Sequence, residues 1–479
     1  MFEGRSLPRT PATEGRPPQG SPSRGDASRG IPIPRAPDSS SDTGLSLGQL
    51  ADLVLKHLSV DGCLTGAEIA RRMHLPFASV EEPLRFLKDE HSLEVLAGEV
   101  FGPVSYRFQL TDLGRTRARE AVARCGYIGP APVTLEAYAE QAALQHVSGT
   151  TCNAAMLVET FDELVLSNEL IETLGPAICT GRSIFIFGPP GNGKSAVSKG
   201  IGRLLNNHGG EIYVPYAVQV EAAVITIFDP MVHTPVENGP AVPMYDTRRR
   251  LLDQVNADPS VDQRWRRVRR PVVMTGGELT LEMLDLRPNL ATGVYQAPPH
   301  LKANGGVFLI DDFGRQVIRP RDLLNRWILP LEERIDFLTL ASGKKFAVPF
   351  EELIVFSTNL EPHELVDDAF LRRIRHKIPM MSPTRELYTA ILRSACERKG
   401  LTFPQECLDS LFSIYDAAQQ QLRGSDPRDL LEIAASICRF RNQEFRLSPE
   451  LLVEAARKFF CHIESAPGNF LSRHNNETR

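Results

Sequence analysis

Apolar positions between residues 45 and 125 change period several times. Leu47, Leu50, Leu53, Val54 and Leu58 fall on one face at helical spacing and predict an amphipathic helix starting near Leu45. A turn at Asp61-Gly62 follows. Thr65 with Glu68 three positions on forms a capping box that opens a second helix through Met73. Leu75-Pro76 breaks the chain, and Val80, Leu84 and Leu87 predict a third helix over about Ala78 to Glu90. Short stretches around Leu93–Val100 and Ser105–Leu110 flank a Gly/Pro tip and predict two strands, after which Thr111-Asp112-Leu113-Gly114-Arg115 starts a further helix.

Farther on, the pattern changes to short continuous apolar runs. Ser183-Ile184-Phe185-Ile186-Phe187, Glu211-Ile212-Tyr213-Val214-Pro215-Tyr216, Gly306-Val307-Phe308-Leu309-Ile310 and Leu353-Ile354-Val355-Phe356 read as strands of an α/β sheet. A helix from Asp162 to Leu174, with Leu164, Val165 and Ile171 inward, ends at Gly175-Pro176. Glu333 to Pro349 reads as a β-hairpin turning at Ala341-Ser342-Gly343-Lys344-Lys345. The last part of the chain is helical.

The chemistry sits at the ends of these runs. Gly188-Pro189-Pro190-Gly191-Asn192-Gly193-Lys194-Ser195 follows the first strand and opens a helix. Its glycines let successive amide N–H groups curl round a phosphate, and the helix that opens at Lys194 aims the positive end of its dipole at the same anion. Lys194 is placed to reach the β- and γ-phosphates of a nucleotide, and the Ser195 hydroxyl to sit on Mg²⁺. Asp311 and Asp312 end the third run, where an open α/β sheet faces its ligand crevice. Asp311 is expected to share the Mg²⁺ with Ser195, and Asp312 to polarise an attacking water.

Length and composition narrow the picture. At 479 residues the chain needs two or three domains, and its 54 basic against 59 acidic residues leave a net charge of −5. That balance gives no global attraction for nucleic acid or anionic membrane. The eight cysteines are scattered without a C-x-x-C pair, no apolar run is long enough to span a bilayer, and a cytoplasmic location is expected. Residues 1–44, rich in Pro, Gly, Ser and Arg, are expected to be a disordered tail, 126–160 a linker, and 466–479 a flexible tail.

Two resemblances follow from these residues. Three helices and a two-stranded ribbon over 45–125 resemble a winged-helix domain, and Tyr106 to Arg115 looks like the wing strand and helix start of bacterial winged-helix regulators. The third helix carries Glu81, Glu82, Asp89 and Glu90 against Arg85 and Lys88, which favours docking to protein over DNA binding. Residues 161–380 resemble the AAA+ ATPases, in particular the MoxR-type and magnesium-chelatase clade with a hairpin before the sensor-1 strand. The resemblance implies a three-layer P-loop nucleotide domain with a helical lid at 381–465, and ATP and Mg²⁺ as cofactors. Asn359 matches the sensor-1 position. In Asp368-Ala369-Phe370-Leu371-Arg372-Arg373-Ile374, Arg373 is the first choice and Arg372 the second for an arginine finger supplied to a neighbouring subunit. Arg428, in Gly424-Ser425-Asp426-Pro427-Arg428, matches sensor 2.

The expected assembly is a homo-oligomeric ring, a hexamer by resemblance, that remodels a protein substrate. A DNA-associated regulator and a slow-turnover scaffold are the alternatives. Two departures stand out: Asp312 occupies a place where most of the family has Glu, and residues 217–300 form a long insertion after the second strand. Within it, Trp265 and the arginines from Arg264 to Arg270 read equally as substrate contacts or as a subunit interface.

Overall fold

The computed structural model describes residues 31–97, 102–148, 150, 152–236, 260–365, 371–403 and 405–460. Asp368, Ala369 and Phe370 of the expected arginine-finger segment, and the tail expected at 466–479, lie outside these residues.

The N-terminal unit comprises α1 (Leu47–Asp61), β1 (Cys63–Thr65), α2 (Gly66–Met73), α3 (Phe77–Asp89), β2 (Leu93–Ala97), β3 (Arg107–Leu110) and α4 (Asp112–Arg124). Both Ser46 with Gln49 and Thr65 with Glu68 form capping boxes, so α1 and α2 start where side chains satisfy their first N–H groups. Leu50, Val54, Ile69, Val80, Leu84 and Phe108 build one core. Strand β1 pairs with β3, and β3 with β2, giving a three-stranded antiparallel sheet rather than a two-stranded ribbon. Three residues are too few for a readable alternation, which is why β1 is invisible in the sequence.

The stretch preceding this unit is not a tail as far as residue 44. From Ile31 onward it lies against the protein, with Asp262 N donating to Pro34 O at 2.9 Å and Ala36 N to Ser260 O at 3.0 Å. Gln141 Nε2 donates to Pro32 O at 3.0 Å, and Thr43 is 2% exposed. A proline-rich strap has few N–H groups to bury and offers carbonyls, and neighbouring side chains use them.

The stretch read as a linker likewise carries structure: β4 (Val133–Thr134), α5 (Leu135–Leu144) and α6 (Ala154–Thr160). The next helix, α7, runs Asn168–Cys179 rather than from Asp162, because Ser167 Oγ caps it by accepting from Leu170 N. It continues past Gly175-Pro176, with Pro176 exposed.

Five parallel strands form the central sheet: β5 (Ile184–Phe187), β10 (Val272–Thr275), β13 (Val307–Ile310), β16 (Leu353–Thr358) and β17 (His376–Pro379). Their order is β10-β13-β16-β5-β17. Every residue of β13 and β16 is buried, as parallel strands covered on both faces must be. The helix α8 (Lys194–His208) follows β5.

The strand expected second in this sheet is elsewhere. β6 (Glu211–Pro215) pairs antiparallel with β9 (Trp265–Arg269), outside the parallel sheet, and β10 holds the expected place next to β13. The additional chain therefore leaves after α8 instead of after the second strand. It contributes β7 (Ala217–Val220) and β8 (Ala223–Thr226), while β11 (Arg287–Pro288) and β12 (Tyr295–Gln296) come from a second excursion after β10. These four join β4 in a sheet of order β11-β12-β8-β7-β4.

The basic run through β9 is divided: Arg264, Trp265 and Arg270 are buried, while Arg266 and Arg267 are half-buried and Arg269 is exposed. Trp265 is 7% exposed, Arg264 5% and Arg270 4%, so these three do not offer a surface for substrate or for a subunit. Arg264 is bound to Asp262 at 2.8 Å and donates to Thr43 O at 2.9 Å and Pro132 O at 3.3 Å. Arg270 donates to the carbonyls of Gly209, Gln145 and Gly305.

The hairpin β14 (Ile335–Thr339) and β15 (Lys345–Pro349) forms as expected and leads into β16. Glu352, at that junction, is fully buried, and neither of its carboxylate oxygens has a hydrogen-bond partner. Burial holds its carboxyl well above the ordinary glutamate range, opposed by Arg334. A folded-state pKa raised in this way contributes stability at acid pH that is lost as pH rises through the folded value. Glu352→Met, which removes an unpaired buried polar group at similar volume, is expected to stabilise the protein by about 1–3 kcal/mol in alkaline buffer. Thermal unfolding from pH 5 to 9 checks this: the wild type should lose more stability across the range than the variant.

The C-terminal unit is made of helices Arg385–Arg398, Glu406–Ala417, Asp426–Phe440 and Pro449–Phe459 around Tyr388, Leu392, Leu411, Tyr415 and Leu430.

Candidate functional site

The site lies at the C-terminal ends of β5, β13 and β16, which are neighbours in the order β13-β16-β5. Three loop glycines have the positive φ that L side chains rarely adopt: Gly188 at 135°, Gly191 at 82° and Gly193 at 85°. A Cβ on Gly188 would lie 2.4 Å from Met380 O, so the loop's first bend packs on the chain leaving β17. Asn192 is buried and donates toward the same carbonyl at 3.5 Å, while Pro189 is partly and Pro190 fully at the exposed rim. Gly193 is the N-cap of α8, leaving the first N–H groups of that helix turned toward the loop.

Lys194 is 5% exposed and its Nζ donates to Gly188 O at 2.9 Å and Pro189 O at 2.7 Å. Burial lowers the pKa of this ammonium group, and Asp312 and Asp311 partly offset the effect. A buried cation held by neutral carbonyls beside two carboxylates is a fitting seat for a polyphosphate.

Ser195 Oγ donates to Asp311 Oδ1 at 2.8 Å, joining two residues 116 positions apart. Asp311 is itself fixed by its backbone N–H, which donates to Thr275 O at 2.9 Å on β10. One hydroxyl and one carboxylate suit Mg²⁺, which keeps its remaining positions for water and phosphate oxygens.

Asn359 Nδ2 donates to Asp312 Oδ1 at 2.9 Å across the gap between the ends of β16 and β13. Asp312 has φ 50°, in the left-handed region that Asp tolerates better than most residues. The turn is secured by Phe313 N donating to Ser357 O at 2.7 Å and Thr358 Oγ1 donating to Phe313 O at 2.6 Å. Gln316, not singled out in the sequence, clasps it from below, donating to Asp311 O at 2.9 Å and Asp312 O at 3.1 Å.

The arginines divide. Arg373 Nε donates to Glu332 Oε1 at 2.6 Å, and Arg372 is exposed, both on the turn before the edge strand β17. Arg428 is not brought to the loop: its side chain is 70% exposed and turns to Asp429 at 3.3 Å. The residues of the C-terminal unit that do touch the loop are Arg423, Gly424 and Ser425. Ser425 N donates to Gly191 O at 2.8 Å and Gly424 N to Asn192 Oδ1 at 3.2 Å. The only sequence signal for them was the polar turn before Asp426-Pro427, a common helix start.

Among the described residues no helix is long and apolar enough to cross a membrane, and no group of three or more His, Cys, Asp or Glu side chains forms a metal cluster.

A search of curated proteins gives no match. Residues 384–458 match a family described as a domain of unknown function, DUF8689. Among solved structures, NtrX from Brucella abortus aligns over 63% of this chain and 56% of its own, at 13% identity and a TM-score of 0.36. Domain III of the replication initiation protein DnaA from Thermotoga maritima aligns over 64% and 98%, at 14% identity and a TM-score of 0.35. The FIGL-1 AAA domain in complex with ADP aligns over 59% and 73%, at 16% identity and a TM-score of 0.27. Likenesses this distant assign neither family nor function, and the matched family spans only the C-terminal helices.

Proposed function

We propose that this chain is an ATP hydrolase of the AAA+ type that works as a ring and remodels a protein substrate, in the manner of the MoxR-like clade. The observation that carries the reading is the pairing of Ser195 with Asp311 at 2.8 Å beside a glycine loop, at the ends of adjacent parallel strands. The strand order β10-β13-β16-β5-β17 supports it, with the loop on β5, two carboxylates after β13 and a polar side chain after β16.

In this reading the loop from Gly188 to Gly193 and the start of α8 cradle the phosphates, and Lys194 neutralises them. Ser195 and Asp311 would hold Mg²⁺, whose chemistry is to neutralise charge on the phosphate oxygens. Asp312 accepts a hydrogen bond from the attacking water, and Asn359 holds Asp312 at the angle this requires. Arg373 serves the site of the neighbouring subunit. The C-terminal helices act as the lid.

The N-terminal unit is a winged-helix domain that docks protein. Glu81, Glu82, Asp89 and Glu90 are all exposed along α3, and a face of this charge repels phosphate backbones.

The experiment is ATP turnover and ATP binding by the wild type and Asp312→Asn, with mass photometry on the same samples. Turnover that rises with assembly, and a variant that binds ATP but turns over about 10²-fold more slowly, are expected. A wild type that binds ATP without hydrolysing it would replace the motor by a nucleotide-dependent scaffold.

A further inference from the structure

A chain of hydrogen bonds runs from the core of the C-terminal unit to the phosphate loop. Tyr388 and Tyr415 have their hydroxyls 2.9 Å apart, and Tyr415 Oη donates to Asp426 Oδ2 at 2.7 Å. Because Tyr415 gives its one proton to the carboxylate, Tyr388 is the donor in the first bond. Tyr388, Tyr415 and Asp426 are 0%, 2% and 1% exposed. Three polar side chains are thus buried in one line, where each depends on the next for its hydrogen bond.

At the outer end of the line, Asp426 is the first residue of its helix, where a negative charge meets the positive end of the dipole. Its backbone N–H donates to Arg423 O at 3.2 Å, and Ser425 Oγ donates to its Oδ1 at 3.4 Å. Asp426 thereby closes the turn of Arg423, Gly424 and Ser425 on itself. That turn is the part of the unit bonded to Gly191 and Asn192. The approach is close: a Cβ on Gly191 would meet Ser425 Oγ at 2.9 Å and Arg423 Cδ at 3.2 Å. The Arg423 side chain, though exposed, therefore lies along the rim of the phosphate loop, whereas Arg428, in the first turn of the helix, turns to Asp429.

We propose that Asp426, anchored by Tyr415 and Tyr388, is a positioning residue that sets the turn 423–425 on the phosphate loop, and that Arg423 is the arginine it presents to the nucleotide. This rests on the ATP-binding reading and goes beyond it by naming the side chain and the device that aims it. The anchor is inside the helical unit and the turn it sets is bonded to Gly191 and Asn192 of the loop, so the docking of that unit and the capture of the nucleotide become one event.

The test is a double-mutant cycle on the full chain, reading KM for ATP and the Kd of a fluorescent ATP analogue, with thermal midpoints recorded alongside. Arg423→Ala is expected to raise both constants by about ten- to hundredfold, the loss of one charge-assisted contact to phosphate. Arg428→Ala has the smaller effect. Asp426→Asn raises KM in the wild-type background, and in the Arg423→Ala background its effect disappears, because it acts through that arginine. Tyr415→Phe behaves as Asp426→Asn does, and its KM change exceeds anything its thermal midpoint accounts for. Equal, additive losses from Asp426→Asn in both backgrounds would leave it a structural residue and overturn the proposal. A larger loss from Arg428→Ala than from Arg423→Ala also overturns it. A wild type that binds ATP no better than Lys194→Ala removes the ATP reading itself, and is distinguishable because that comparison involves neither Arg423 nor Asp426.

Discussion

Lys194→Ala is expected to lower ATP turnover by about 10²–10³-fold and to abolish tight nucleotide binding. The ammonium is almost entirely out of water, and the partners that hold it are two carbonyls of its own loop. Neutral acceptors satisfy its hydrogen bonds and leave its charge uncompensated, apart from the carboxylates of Asp311 and Asp312 nearby. A phosphate entering the loop supplies the missing anion at no cost in reorganisation, since the lysine is already desolvated. Lys194→Arg should not restore activity, because a planar guanidinium cannot replace a compact ammonium between two carbonyls 2.9 and 2.7 Å away. Titration calorimetry with ATP, together with single-turnover rates, measures both effects. An alanine variant that binds and hydrolyses as the wild type does would contradict the site.

Arg373→Ala is expected to lower turnover by about 10³–10⁵-fold while ATP binding persists. Arg373 sits on the turn into β17, the edge strand of the sheet, with Ile374 fully buried beside it as an anchor. Its Nε donates to Glu332 Oε1 at 2.6 Å, and its side chain is partly exposed. In the proposed ring it serves a neighbouring copy. The decisive form of the experiment mixes Arg373→Ala with Lys194→Ala: each is inactive alone, and a mixed ring contains interfaces where an intact Lys194 meets an intact Arg373. Recovered activity in the mixture is the expected result. Activity that stays absent on mixing, in samples shown to co-assemble, would place the arginine's role within its own chain.

The parts of this site that were legible in the sequence are those whose chemistry is written in adjacent residues. The glycine loop with Lys194 and Ser195, and the apolar run ending in Asp311 and Asp312, need only a strand before and a turn after. The second strand of the sheet was not legible. Glu211–Pro215 and Val272–Thr275 are both short apolar runs, and which one joins β13 depends on β9 claiming the first, a pairing between positions as far apart as Glu211 and Arg269. The arginine at the loop was missed for a related reason. Gly424 to Arg428 carries a motif that draws attention to Arg428, yet the turn Ser425–Asp426 leaves the preceding residue, Arg423, against the loop. Arg264 and Trp265 looked like surface chemistry because basic runs usually are solvated. Arg264 is instead held inside by Asp262 and the carbonyls of Thr43 and Pro132, backbone groups that composition does not display, and Trp265 joins a hydrophobic core.

Those same carbonyls decide where this chain can be cut. A protein begun at Leu45 would appear, by composition, to have shed a tail. It would in fact leave the buried guanidinium of Arg264 short of an acceptor and uncover the backbone N–H of Asp262, both at the base of the strand that returns toward the central sheet. Shortening the chain to its apparent domains would therefore loosen the arm that joins the N-terminal unit to the central sheet, and a weak or inactive truncation would report on that lost brace rather than on the residues of the candidate site.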